Sequence, residues 1–466
     1  MGRFMSAQAA KSAPLSIVVL AAGQGKRMNS ALPKVLQPLA GKPLLAHVLD
    51  AVATLNPAAT HVVYGHGGEA VRKALPGARV QWSLQSEQLG TGHAVQQAMP
   101  LIPDDHLVLV LYGDVPMIRA DTLSRLLTLV SAKSMALLTV RLEDPTGYGR
   151  IVRDQRGAVR KIVEEKDATA AQRKINEGNS GVMAVPAKWL RRWLARLKSD
   201  NAQGEYYLTD IIAMAVRDKI SVKPQVADSA AEVLGVNDKS QLAMLEAEYR
   251  QQRAQELLRV GVTLIDPKRI DVRGTLTVGR DVEIDVNVVF EGTVHLADGV
   301  RIGPNCVLRD VSVGAGTVIK PNCVFERAEI GRNCELGPFT RIRPESVLAD
   351  AVHLGNFVEV KNSRVGRGSK VNHLSYIGDT SIGETTNVGA GTITCNYDGA
   401  NKYRTEIGNN AFIGSGTMLV APVKIGDGAT IGAGSTISKD APPGQLTLER
   451  SKQISIDGWQ RPLKKP

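Results

Sequence analysis

Two groups of residues have the types and spacing to do chemistry. In the first, an apolar run ends in Ala22-Gly23-Gln24-Gly25-Lys26-Arg27-Met28, and Pro33-Lys34-Val35-Leu36 follows closely. Glycines let backbone amides approach a phosphate, and Arg27 and Lys34 can neutralise its charge. The segment is no P-loop, because Gly-Lys-Ser/Thr is absent, and no dinucleotide fingerprint, because Met28 stands at the third glycine position. Two glycines alone are a weak signal. They gain weight from Leu111-Tyr112-Gly113-Asp114, an apolar run ending in one carboxylate. Taken singly, Asp114 could equally cap a turn. Beside two phosphate-binding cations it reads as a Mg²⁺ ligand.

The second group lies in the other half of the chain: Arg341-Ile342-Arg343, Lys361-Asn362, Asn372-His373-Leu374-Ser375-Tyr376 and Thr392 to Gly399. A lone histidine is more often a satisfied surface or core group than a catalyst. Here it keeps company with Arg343 and Lys361, cations suited to an anionic substrate.

The first group must be positioned by an α/β element pattern that runs from Ser16 to about Val236. Strands are expected at Ile17 to Ala22, His61 to Tyr64, Leu107 to Tyr112, Ala136 to Val140, Lys161 to Val163 and Gly181 to Val185. Helices are expected at Pro43 to Leu55, Thr122 to Ser131 and Ala187 to Leu197. Such alternation predicts a Rossmann-like, mostly parallel sheet with ligands beyond the strands' carboxyl ends. From Asp238 to Val260 there is no Gly or Pro, which predicts a linker helix with Asp238 as N-cap and Gly261 as its stop.

The second group must be positioned by a repeat. Aliphatic or aromatic residues fall on every sixth position at Val272, Val278, Ile284, Phe290, Leu296, Ile302 and Leu308, then from Ile330 to Val360, then from Ile407 to Ile437. At a hydrophobic frequency of 43%, six hits in a chosen register arise by chance in roughly 0.6% of cases. Period six predicts a β-solenoid whose aliphatics point inward, with the glycine that often follows each one relieving a turn. Register breaks near Val365, near Ile382 and between Val388 and Ile407 predict shortened turns or inserted loops, where function tends to sit. Cys306, Cys323 and Cys334 each stand four places after a register position, as small packing residues. Cys395 falls in the inserted stretch and could approach a ligand.

The 466 residues exceed one core, and composition excludes wholesale disorder and a membrane bundle. Four cysteines without a CxxC pair argue for a reducing cytoplasm. The net charge of +11 is spread without a long basic run, which favours small anionic substrates over nucleic acid; Arg461 to Lys465 reads as a solvated tail. Pro14 to Ala22 resembles a signal-peptide core, but Lys26 and Arg27 follow at once, and no other run could span a bilayer.

Together, LAAGQGKRM, PKVL, QLGTGHA, LYGDVP, DPTGYGRI, VEEKDA and NAQGEYYLTDI resemble the bacterial bifunctional N-acetylglucosamine-1-phosphate uridylyltransferase and glucosamine-1-phosphate acetyltransferase family. The hexad half matches too, so the resemblance runs from about Leu15 to Lys465. It implies a 15–237 uridylyltransferase domain after an extension over 1–14, a linker helix over 238–260, a left-handed parallel β-helix over 261–442 and a tail over 443–466. The family's uridine-nucleotide site falls on Leu20, Ala21, Ala22, Gly23, Lys34, Gln85, Gly90, Thr91, Tyr112, Gly113, Gly149, Glu164, Asn179 and Asn237, with Asp114 and Asn237 at its magnesium ligands. Lys26 stands where the family commonly has Thr.

The same resemblance places the acetyl-transfer base at His373. It puts sugar-phosphate ligands at Arg343, Lys361, Tyr376 and Asn387, and the acetyl-CoA cleft at Ala390, Asn396, Tyr397, Ser415, Ala433 and Arg450. It implies a homotrimer with clefts between solenoids, and a product, UDP-N-acetylglucosamine, that feeds peptidoglycan and lipopolysaccharide. One rival is a sugar nucleotidyltransferase whose solenoid only oligomerises it. Another is a silent regulatory subunit, against which Arg27, Lys34 and Asp114 all stand.

Overall fold

The computed structural model describes residues 13–464 except Gln24, His66 and the side chain of Lys26. Most of the expected N-terminal extension, the side chain of Lys26 and the last two residues lie outside the described residues. The chain divides into two compact units, one ending at Tyr249 and one beginning at Arg250.

In the first unit the run Leu15–Ala21 becomes the centre of a sheet because it is apolar on both faces. It pairs in parallel with Ala59–Tyr64 on one side and Leu107–Tyr112 on the other, with Leu20 opposite both Val63 and Tyr112. Beyond Ala59–Tyr64 lies the edge strand Gln81–Leu84. On the far side come Glu177–Pro186, Ser134–Arg141 and Ser221–Val226. Strand order thus reverses at Leu15–Ala21, and a crevice opens beyond its carboxyl end.

The expected strand at Gly181 to Val185 is longer, and it runs antiparallel to both neighbours. The hairpin Arg150–Arg153 with Val159–Val163 is attached to it. The expected helices form as Leu44–Ala53, Ala120–Thr128 and Ala187–Leu194, each shorter than the sequence pattern suggested. The strand Gln81–Leu84 and the helices Thr91–Ala98 and Asp210–Arg217 were not foreseen.

The helix Lys239–Arg259 carries residues of both units. Asp238 caps it, its carboxylate accepting from the Gln241 amide at 2.9 Å. Leu242 and Leu245 are buried with Met28 and Val236 in the first unit. Ala254 and Leu257 belong to the solenoid core. Gly261 stops the helix at φ +92°, a conformation glycine adopts without strain. Its amide bonds Leu258 O while that of Val262 bonds Leu257 O, and Val262 and Leu257 are both buried.

From there the second unit is a parallel β-helix of hexapeptide repeats, left-handed in its fold class. One face is a sheet of eleven short parallel strands, and longer strands such as Val288–Leu296 and Val307–Val313 belong to a second sheet. Of the hexad positions named above, Val278 is partly buried and the others are buried. Each of the fully buried ones contributes roughly 1.5–3 kcal/mol. Ile284 pairs with Ile302 and Ile302 with Ile319, so coils are 18 or 17 residues long; Val388 pairs with Ile413, 25 residues on, which marks the inserted loop.

The glycines after the aliphatics do not relieve turns as expected. Gly314 and Gly426 lack positive φ, and a Cβ on either would stand 2.5 Å from backbone of the next coil. They are small so that coils can stack. The left-handed corners fall elsewhere, at Asn287, Asn305 and Asn322 and then at Phe339, Phe357 and Leu374. Cys306, Cys323 and Cys334 are buried packing residues.

Candidate active sites in the two units

The first site is a cavity of about 670 Å³ at the crevice. Leu20, Ala21, Ala22 and Gly23 bring the backbone to its floor, and the exposed Arg27 lines it from the short 3₁₀ turn that follows. Gly25 holds φ +61°, and a side chain there would meet Lys34 Cβ at 2.7 Å, so only glycine lets Lys34 come this close.

Lys34 forms an ion pair with Asp114, both largely buried, and its Nζ lies 3.3 Å from Asn237 Oδ1. The three residues come from a 3₁₀ turn, the end of the strand Leu107–Tyr112 and the segment before the long helix. Val236 N–H donates to Asp114 O at 3.0 Å and Gln241 Oε1 accepts from Asn237 N–H at 2.7 Å, which holds the backbone of both residues in place. Lys34 holds a positive charge between two hard oxygen donors. That donor chemistry suits Mg²⁺, which takes few protein oxygens and fills its shell with water and substrate phosphates. Among the described residues there is no cluster of three or more His, Cys, Asp or Glu side chains able to cage a metal alone.

Farther along the wall, Gln85 Nε2 donates to Gly90 O at 3.2 Å, and Thr91 Oγ1 accepts from Leu208 N–H at 3.1 Å. Gly113 N–H donates to Leu20 O at 2.9 Å, tying the strand ends together. An adjoining cavity of about 220 Å³ is lined by Gly149, Glu164 and Asn179 and shares Thr91 and Tyr112 with the first. Burial pushes the Tyr112 phenol well above its ordinary pKa, with the charges of Glu164 and Asp114 adding to the effect, so it stays a neutral donor. Burial also raises the Glu164 carboxyl, against the hydrogen bond it accepts from Thr209 Oγ1 at 2.8 Å. Arg150, not foreseen, is a buried cation that bonds Tyr148 O and pairs with Glu165 at 2.8 Å, anchoring the loop that carries Gly149.

The second site is built by register. Asn356 lies opposite His373 in the next coil, and Ala390, Ser415 and Ala433 follow at the same place in later coils. His373 is exposed, and its Nδ1 lies 3.1 Å from Asn356 Oδ1. An amide oxygen only accepts, so Nδ1 is the donor, and in the neutral ring that leaves the lone pair on Nε2. Asn387 begins the strand Asn387–Val388 just before this row.

Around the corner at Leu374, Lys361 stands opposite Gly378, and Tyr376 opposite Glu359 and Ile393. The Tyr376 ring lies over Gly378, where a Cβ would meet its hydroxyl at 2.4 Å. Arg343 pairs with Glu359 at 2.9 Å, and Lys361 with Asp379 at 3.4 Å. Asn396 also binds Asp379, while Tyr397 donates to Gly399 O at 2.5 Å within the inserted loop. The exposed Arg450 passes above Gly432, its Nη2 3.8 Å from where a Cβ would be. Cys395 is half-buried, and burial raises its thiol pKa. Asn356, Glu359 and Asp379 were missed in the sequence. Their only signal is the spacing of 17, 16 and 18 residues from His373, Arg343 and Lys361 respectively.

Comparison with known proteins agrees with this division. Residues 17–213 match a MobA-like NTP transferase domain, 270–365 the GMPPB C-terminal domain and 404–439 a bacterial transferase hexapeptide of six repeats. Over 450 residues the chain is 59% identical to the bifunctional protein GlmU of Azoarcus sp. (strain BH72), covering 97% of this chain and 100% of that one. It is 60% identical over 451 residues to the GlmU of Aromatoleum aromaticum, covering 97% and 99%. With the GlmU of Nitrosospira multiformis it shares 58% over 453 residues, covering 97% and 98%. With one unit built for nucleotidyl transfer and the other from hexapeptide repeats, the chain belongs to the GlmU family of bifunctional uridylyltransferase and acetyltransferase enzymes.

Proposed function

We propose that the solenoid N-acetylates glucosamine-1-phosphate from acetyl-CoA and that the first unit then converts N-acetylglucosamine-1-phosphate and UTP to UDP-N-acetylglucosamine. The observation that carries the uridylyl-transfer half is the meeting of Lys34, Asp114 and Asn237 at the carboxyl end of the central strands. A phosphate oxygen of the sugar phosphate attacks the α-phosphorus of UTP; the bond to the β-phosphate breaks and pyrophosphate leaves with the electron pair. Arg27 and Lys34 offset the charge that gathers on the α-phosphate. Asp114 and Asn237 would hold Mg²⁺, which when bound adds further charge neutralisation there. The backbone from Leu20 to Gly23, with Gln85, Gly90, Thr91 and Gly113, holds the nucleotide. Tyr112, Gly149, Glu164 and Asn179 orient the sugar so that the attacking oxygen is in line.

In the solenoid, His373 Nε2 takes the proton as the amine nitrogen attacks the thioester carbonyl, and the CoA thiolate leaves. Arg343 and Lys361 hold the sugar phosphate with Tyr376 and Asn387. The small side chains of Ala390, Ser415 and Ala433 leave a path for acetyl-CoA, bordered by Asn396, Tyr397 and Arg450. The exposure of His373 and of the neighbouring corner residues Phe339, Phe357 and Leu374 supports a homotrimer in which a second copy completes the cleft. The substrates fit a cytoplasmic enzyme, and no helix among the described residues is long and apolar enough to cross a membrane.

The test is mass-spectrometric product analysis with glucosamine-1-phosphate, acetyl-CoA, UTP and Mg²⁺, omitting one at a time. UDP-N-acetylglucosamine is expected only with all four. Product only from pre-acetylated sugar phosphate would reduce the solenoid to a scaffold. No product from either would leave the regulatory reading.

A further inference from the structure

We propose that Asp379 is a positioning residue for acetyl transfer, a buried carboxylate that ties the inserted loop to the cation receiving the sugar phosphate. The inference rests on the acetyltransferase reading of the solenoid. Asp379 is only 4% exposed and sits in a left-handed corner at φ +50°. One oxygen accepts from Asn362 Nδ2 at 2.5 Å, the other from Asn396 Nδ2, and Lys361 Nζ lies 3.4 Å from the latter. Its backbone repeats the pattern. The Asp379 N–H donates to Lys361 O at 3.0 Å, and its carbonyl accepts from Thr405 N–H at 3.3 Å. A single residue therefore grips Lys361 in the preceding coil and both ends of the loop, at Asn396 and Thr405.

The chemistry at this point requires a carboxylate. Three donors converge on its two oxygens, and an amide in its place would turn its own donor toward them. Burial alone would raise the carboxyl pKa, but hydrogen bonds from Asn362 and Asn396 and the charge of Lys361 outweigh it, and the net direction is down.

Two roles make opposite predictions. A mere counter-charge weakens the field of Lys361, so its removal would tighten sugar-phosphate binding. A positioning residue holds Lys361 and Asn396 where the substrates need them, so its removal loosens both substrates at once.

The experiment is steady-state acetylation by the full chain carrying Asp379→Asn, Asp379→Glu or Asn362→Gly, with uridylyl transfer and thermal unfolding followed on the same samples. For Asp379→Asn the KM values for glucosamine-1-phosphate and for acetyl-CoA are expected to rise by about tenfold to a hundredfold, with uridylyl transfer unchanged. Asp379→Glu should recover part of the loss. Asn362→Gly removes one donor where the backbone is already left-handed, at φ +45°, and should raise both KM values in the same direction by less. An unchanged or lowered KM for the sugar phosphate in Asp379→Asn overturns the proposal. Should that variant unfold, wild-type KM values in Asn362→Gly overturn it instead. A wild-type chain that acetylates nothing would sink the acetyltransferase reading rather than this one.

Discussion

Lys34, Asp114 and Asn237 lie far apart in sequence, and the fold brings them within one charge cluster. If Asp114 serves metal and phosphate chemistry, Asp114→Asn should cut uridylyl transfer by at least about 10²-fold while acetylation by the same sample persists. Retained uridylyl transfer across a magnesium titration would argue against that role. His373→Ala should cost about 10² to 10⁴-fold in acetyl transfer and leave uridylyl transfer intact; loss of both would indicate misfolding. Lys34 and Asp114 were legible because each ends or follows an apolar run, whereas Asn237 came only from resemblance. Asn356 and Asp379 were not legible from their own segments. In His353-Leu354-Gly355-Asn356 and Ile377-Gly378-Asp379 they look like turn residues, and only the stacking of one coil on the next shows what they hold.

At the level of elements, the hexads were read correctly because the side chain at every sixth place enters a closed core, which leaves a period no other fold imitates. Ile413, fully buried, illustrates the strength of that constraint. Ile413→Ala should destabilise the solenoid by about 2–5 kcal/mol, read as a lowered denaturant midpoint for its transition. A shift no larger than that of an exposed control would refute tight packing there. The central strands were legible for the same reason, being apolar on both faces. The edge strand Gln81–Leu84 was not, since half its residues are exposed, and neither was the antiparallel direction of Glu177–Pro186, which depends on the route of the chain between elements. The glycines were found but misread, because close approach between coils cannot be seen within a single hexad.

At the scale of the whole molecule, His61 is an acid-sensitive feature outside both sites. His61 is completely buried on the strand Ala59–Tyr64, and neither ring nitrogen has a hydrogen-bond partner among the described residues. Burial lowers its pKa, and the nearby His106 lowers it further. Below about pH 6.5 the unfolded chain takes up a proton that the folded chain refuses, so stability is full above that pH and falls as pH drops, by at most ~1.4 kcal/mol per unit. Thermal unfolding between pH 7.5 and 5.5 should show the first unit losing stability, and His61→Leu should flatten the slope. An equal slope in the variant would assign the loss to other groups.

The long helix has a consequence for cutting the chain. Ala254 and Leu257 are buried in the solenoid core on the helix that precedes the first coil, the place that terminal caps take in stacked repeats. A fragment beginning at Gly261 would present a bare apolar cross-section edged with unpaired strands, a template onto which another fragment could stack. Light scattering should find such fragments assembling end to end, while those beginning at Arg250 remain discrete.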